Sequence, residues 1–150
     1  MISKKTKYAL KALTILVNEY PYKKPILITD LAKRGNAPKK FLELILLDLK
    51  NKGILHSKKG KGGGYFLARS PEHIKLGTVM HILEGPLSPL PCLSRSAYRK
   101  CDECEDESTC NIRLIMKELH EAQLKILDGT TLQDLAERHC MLQGAGTYAI

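Results

Sequence analysis

Apolar residues recur along the first twenty positions at the spacing of a helix that buries one face. Ala9, Ala12, Leu13, Leu16, Val17 and Tyr20 keep a 3.6-residue period, and Ser3 stands where an N-cap belongs. Lys4, Lys5, Lys7 and Lys11 lie off that stripe. The pattern predicts a helix over residues 3–20, ended by Pro21 and Pro25, which open a short extended link. Thr29 then caps a short second helix reaching residue 34, and Gly35-Asn36 makes a tight turn. Pro38 sits in the first turn of a third helix that extends to about residue 52 and stops at Gly53. Within it Phe41, Leu42, Ile45 and Leu49 are expected to face inward, with Lys39, Lys40, Glu43 and Lys50 outward. Two short helices joined by a glycine turn, after a longer first helix, fit a helix-turn-helix.

The period changes after Gly53. Residues 54–57 and 65–68 read as two short strands, and the turn between them, residues 58–64, holds three lysines and four glycines. A β-hairpin directly after a recognition helix is a wing. Glycine lets backbone N–H groups approach phosphate, and lysine neutralises it. The turn lacks the Gly-x4-Gly-Lys-Ser/Thr order and the following helix that a nucleotide-phosphate loop needs.

Helical spacing returns at residues 76–84, where Leu76, Val79, Met80 and Leu83 share a face. Pro86, Pro89 and Pro91 make the next stretch irregular, and a cysteine-rich loop follows to residue 110. Residues 111–128 form a long amphipathic pattern on Ile112, Ile115, Met116, Leu119, Ile126 and Leu127, widened by Leu114 and Leu124. A stripe that broad can serve its own domain and a partner helix. Gly129 ends it, Thr130 or Thr131 caps a last short helix, and the tail beyond His139 reads as frayed. The organisation expected is a winged helix-turn-helix domain over residues 1–84, a cysteine-rich sensor loop over 85–110, a dimerisation helix and C-terminal helix over 111–138, and a flexible tail over 139–150. The fold class is mainly α with one small β-hairpin.

Charge sharpens the division. Residues 1–70 hold 16 Lys/Arg against 4 Asp/Glu, a net of +12, while residues 71–150 hold 8 against 12, a net of −4. A basic half beside an acidic one points to a polyanion-binding module joined to something else. The apolar runs are too short to span a bilayer, and no signal-peptide pattern follows Met1. The expectation is a cytoplasmic protein without membrane contact. Five cysteines, at 92, 101, 104, 110 and 140, make an odd count, which argues against a disulfide framework. Four of them lie within nineteen residues, the clustering of metal ligation or redox chemistry.

Cys101-x2-Cys104 suits zinc as one knuckle, but Cys104-x5-Cys110 is not a second. Asp102, Glu103, Glu105, Asp106 and Glu107 surround the thiols and should raise their pKa values. Three ligand states stay open on the residues alone: an iron–sulfur cluster, zinc, or free thiols, the last with or without a thiol/disulfide switch. Cys140 reads as a plain small apolar residue. The histidines at 56, 73, 81, 120 and 139 show no metal spacing with a cysteine. Cys101-x2-Cys104 has no βαβ setting of the oxidoreductase kind, and no catalytic constellation is expected.

Four segments together resemble a known family. They are Lys-x-x-Tyr-Ala-Leu-x-Ala-Leu at residues 5–13, Phe-Leu-Glu-Leu-Ile at 41–45, Lys-Gly-Lys-Gly-Gly-Gly-Tyr-Phe-Leu at 59–67, and Leu-Glu-Gly-Pro-Leu at 83–87 followed by the cysteine loop. Over residues 1–138 the chain is similar to the winged-helix repressors that include the iron–sulfur regulator IscR, the nitric-oxide sensor NsrR and the cysteine-metabolism regulator CymR. The resemblance implies a homodimer crossing its long helices, and a pseudo-palindromic operator on double-stranded DNA. It implies a third helix in the major groove and a wing in the minor groove. Lys39, Lys40 and Glu43 match the base-proximal positions and Lys59, Lys61 and Gly62 the wing tip; Lys4, Lys5, Thr29, Lys58, Gly63 and Tyr65 complete the DNA-contact candidates. It further implies a [2Fe–2S] or [4Fe–4S] cluster on Cys92, Cys104 and Cys110. The histidine that serves as fourth ligand in IscR is replaced by Arg113, and the first eighteen residues hold no acidic substitute. Cys101 is therefore the fourth candidate. The alternative is the same DNA-binding fold without a cluster, regulated by thiol state or a protein partner.

Overall fold

The structure, a computed structural model, describes residues 2–147, with side chains described as far as residue 144. Its first helix, α1 (Lys4–Glu19), begins where Ser3 accepts the Thr6 N–H through its side chain. Thr6, Ala9, Ala12, Leu13, Leu16 and Val17 are buried along it. The chain leaves through a short 3-10 turn at Tyr20–Tyr22 and enters α2 (Ile28–Arg34). Leu27 occupies the N-cap position of α2 with no side-chain cap, so Thr29 lies inside the first turn and does not cap it. Gly35 ends α2, Pro38 precedes α3 at its N-cap, and α3 runs Lys39–Asn51.

α3 buries Leu42, Ile45, Leu46 and Leu49. The expectation for Phe41 needs correction. It is 39% exposed and meets Tyr8 edge-on, ring centroids 5.8 Å apart, at the rim of the α1–α3 contact. Leu46, which was not among the inward expectations, takes the core place.

The hairpin pairs β1 (Leu55–Lys58) with β2 (Gly64–Leu67), Leu55 opposite Leu67 and Lys58 opposite Gly64. The link before α2 joins it as a single bridge. Ile26 N–H donates to the Tyr65 carbonyl at 2.9 Å, and Tyr65 N–H to the Ile26 carbonyl at 2.8 Å. Gly64 explains part of the glycine run: its φ is +138°, and a Cβ there would lie 2.2 Å from the Ile26 carbonyl oxygen.

α4 (Leu76–Glu84) buries Gly77, Val79, Met80 and Leu83. α5 (Asn111–Gly129) follows the cysteine loop and contains no buried residue at all. α6 (Leu132–Thr147) returns to the first module. Its start is clamped by backbone bonds from Leu76 N–H to the Thr130 carbonyl and from Leu132 N–H to the Ile74 carbonyl, and Leu132 and Ala136 enter the same core as α1 and α3. Thr131 and Asp134 cap α6 reciprocally: Thr131 N–H donates to Asp134 at 2.8 Å, and Asp134 N–H to the Thr131 hydroxyl at 3.1 Å. Residues 139–147 continue this helix; residues 148–150 lie outside the described residues. The core is thus built from α1, α2, α3, the hairpin, α4 and α6, each fully buried leucine contributing about 1.5–3 kcal/mol.

Candidate functional site

Two surfaces carry chemistry. On the first, Lys39, Lys40 and Glu43 are exposed at the start of α3, and Lys58, Lys59, Lys61 and Gly62 are exposed at the wing tip. Among the described residues none of these five lysines is in an ion pair, so their charge is not spent within the chain. Lys4 and Thr29 are also exposed. Lys5 differs: its ammonium pairs with Asp48 at 3.1 Å, tying α1 to α3. Gly63 is buried inside the hairpin turn, where a Cβ would stand 2.2 Å from the Lys58 carbonyl oxygen. It therefore shapes the tip and does not present a surface to phosphate, as was expected of it. Tyr65 is half-buried and holds the wing to the link before α2 through its backbone.

The second surface is the loop between α4 and α5. Cys92, Cys101, Cys104 and Cys110 all line one cavity of about 710 Å3, together with Arg113 and Glu107. All four are free thiols; Cys101 is exposed and the other three are half-exposed. The Cys101–Cys104 segment closes as a turn, Cys104 N–H donating to the Cys101 carbonyl at 3.1 Å. Cys110 is the N-cap of α5, its sulfur accepting the Arg113 N–H at 3.3 Å. Nothing in the spacing of cysteines announces that role.

Glu107 anchors the loop from inside. Tyr98 donates its hydroxyl hydrogen to Glu107 at 2.5 Å, and the Arg113 Nε stands 3.6 Å from the same carboxylate. That hydrogen bond to Glu107, more than burial, raises the Tyr98 pKa. Arg113 fills the position of the lost histidine with a cation that cannot ligate a metal. The Cys104 thiol is pushed up mainly by burial, then by Cys110, with Glu107 and Cys101 adding to it and Lys100 opposing it. Glu107, one of the acidic run, acts on this thiol in the expected direction, but burial leads.

The chemistry of the donor set suits a cluster with four thiolate ligands. Its geometry is open: among the described residues no three His, Cys, Asp or Glu side chains stand close enough together to hold a metal ion. Binding would have to draw the loop inward.

Near the end of α4 a third feature links the two surfaces. Glu84 Oε1 accepts from the Ser3 N–H and the Ser3 hydroxyl, each at 2.8 Å, and from the Thr6 hydroxyl. The last residue before the loop thus closes the N-terminus of α1. These bonds, Thr6 first, hold the Glu84 carboxyl below its ordinary value. No helix among the described residues is long and apolar enough to cross a membrane.

A three-helix head with a basic hairpin behind its third helix defines the class: a winged helix-turn-helix protein. Comparison with known proteins is specific within that class. Residues 2–138 match the family model described as Rrf2, iron-dependent transcriptional regulator, and the chain belongs to that family of DNA-binding transcriptional regulators. It is 44% identical to an rrf2-like helix-turn-helix transcriptional regulator of Rhodobacter capsulatus, over 90% of this chain and 91% of that one. The structure of CymR, the global cysteine regulator of B. subtilis, superposes with a TM-score of 0.76 at 30% identity, covering 92% of this chain and 97% of that chain. T. potens IscR superposes with a TM-score of 0.71 at 25% identity, covering 100% and 91%.

Proposed function

We propose that the protein is a homodimeric repressor of a pseudo-palindromic operator, and that its sensor is an iron–sulfur cluster held by Cys92, Cys101, Cys104 and Cys110. The observation that carries the sensor is the convergence of all four loop cysteines on one cavity, at the capped start of α5. Dimerisation is supported by α5 itself. Arg113, Met116, His120, Leu124 and Leu127 are half-exposed along one face, while Ile112, Ile115, Leu119 and Ile126, each more than half exposed, repeat at spacings of three, four and seven on the other. That second stripe is the seam of a paired helix, and another copy of the chain covers it. Two heads then present α3 to successive major grooves, Lys39, Lys40 and Glu43 towards bases, with Lys4 and Thr29 at the backbone and Lys5 holding α3 to α1 through Asp48. Lys58, Lys59, Lys61 and Gly62 of the wing enter the minor groove, and Tyr65 braces the wing from below. Guanine acceptors suit the lysines, and cytosine N4 suits Glu43.

A bound cluster, [2Fe–2S] or [4Fe–4S], supplies iron whose oxidation and ligation state answer to the cell. The chain's part is mechanical. Cys110 holds the first turn of α5 by its sulfur, so a pull on that sulfur repositions the dimer helix. The angle between the two heads sets their reach across half-sites, and with it operator affinity.

A second reading has its own support. The thiols are not gathered for a metal ion, and Cys101 is exposed, which favours a thiol/disulfide switch in the same loop. Anaerobic purification with iron and sulfide assay decides between them. Brown protein with bound iron, losing colour in Cys104→Ser, supports the cluster. Colourless, iron-free protein whose operator affinity follows thiol oxidation supports the switch.

A further inference from the structure

We propose that Leu44, with Leu47 behind it, is a base-reading position that selects thymine through its C5-methyl group. This rests on the operator-binding reading above and adds a residue to it that the charged side chains do not suggest.

The buried face of α3 is Leu42, Ile45, Leu46 and Leu49. At about 100° per residue, the opposite stripe is Lys40, Leu44, Leu47 and Asn51. Glu43 and Lys39 fall to one side of it. The outermost line of the recognition helix is therefore half apolar. Leu44 is 67% exposed and Leu47 47% exposed.

Leu44 lies in the first half of α3, the half that approaches base edges when such a helix lies in a groove. A leucine neither donates nor accepts a hydrogen bond, so it contributes nothing at guanine, cytosine or adenine edges. The one apolar group a major groove offers is the thymine methyl. The setting fits a duplex and not an apolar protein surface. Lys40 shares the stripe, Lys39 flanks it, and the unpaired lysines of the wing follow in the chain. A protein partner for two leucines would have to bury those cations as well.

The test uses the full chain and a duplex enriched by it from a random pool. Each thymine of that duplex is replaced in turn by deoxyuridine, which deletes the methyl and nothing else. The expected result is one thymine per half-site whose replacement weakens binding by about 5-fold. Leu44→Ala, with an unchanged melting temperature, should bind the thymine duplex more weakly and be indifferent to that replacement. Wild-type protein indifferent to uracil at every position overturns the inference and leaves operator binding standing. So does a Leu44→Ala variant that keeps the full uracil penalty. A variant altered in oligomeric mass instead of base preference makes the stripe a contact between copies and also overturns it. Failure to enrich any duplex overturns the operator reading and this inference together.

Discussion

The winged head and the cysteine loop are built on opposite principles. The head buries a continuous core from α1 through α4, closed by α6, and its functional charges stand outside it. Among residues 85–110, by contrast, Ser94 alone is buried, and its hydroxyl accepts the Ala97 N–H. The loop is held by turns, by Tyr98 and Arg113 around Glu107, and by its two ends. What the contrast teaches is a division of labour. A surface that must match the fixed geometry of a duplex is mounted on packed side chains. A surface that must change with its ligand is left with few contacts to break.

The largest expected effect breaks that comparison at the core. Leu46 is fully buried on the inner side of the recognition helix. Leu46→Ala should cost about 2–5 kcal/mol of unfolding free energy, measured by urea titration. Cys101→Ser, at an exposed loop position, should leave the midpoint of the metal-free protein within about 0.5 kcal/mol of wild type. A comparable loss in both variants would mean that the loop is part of the folding unit.

Next in size is the charge at the wing. Lys58→Gln, Lys59→Gln and Lys61→Gln together should weaken operator binding by roughly 100-fold near 0.15 M salt, and should lower the slope of log K against log salt by about 3. Fluorescence anisotropy over a salt series measures both. Unchanged affinity would remove the wing from the interface, and with it the reason for three unpaired lysines on a glycine turn.

Much of the head was legible because its determinants are local. The 3.6 period set the faces of α1 and α4, Ser3 marked a cap, and the switch to short strands around a glycine run marked the hairpin. The misreadings have physical causes. Phe41 is apolar but falls at the edge of the stripe that Leu42, Ile45, Leu46 and Leu49 bury, so it meets Tyr8 at the rim. Thr29 is a residue type that caps helices, but the bridge between Ile26 and Tyr65 fixes where the extended link ends, and α2 starts one residue before it. α6 was read as a short helix because Leu132 and Ala136 owe their burial to α1, more than a hundred residues earlier. The four thiols of the loop could be named from sequence, because cysteine chemistry needs no period. Their shared cavity and the capping role of Cys110 depend on how the loop closes, which no local pattern specifies.

The smallest effect concerns Glu84, where the two regions meet. Its carboxylate accepts three hydrogen bonds from Ser3 and Thr6, and it sits at the N-terminal end of the α1 dipole. Those bonds favour the charged form, so the folded pKa lies below the unfolded one. The sign follows from linkage: this stabilisation is complete above the ordinary glutamate range and disappears as pH falls through the lower, folded value. Glu84→Gln keeps the shape and an acceptor but removes the charge, and should cost about 1 kcal/mol at pH 7. Thermal melts at a series of pH values should show the gap between wild type and variant closing below about pH 4. A gap that persists unchanged into acid would mean that Glu84 acts through packing and not through its charge. In that case the joint between the loop and the first helix would be insensitive to proton concentration.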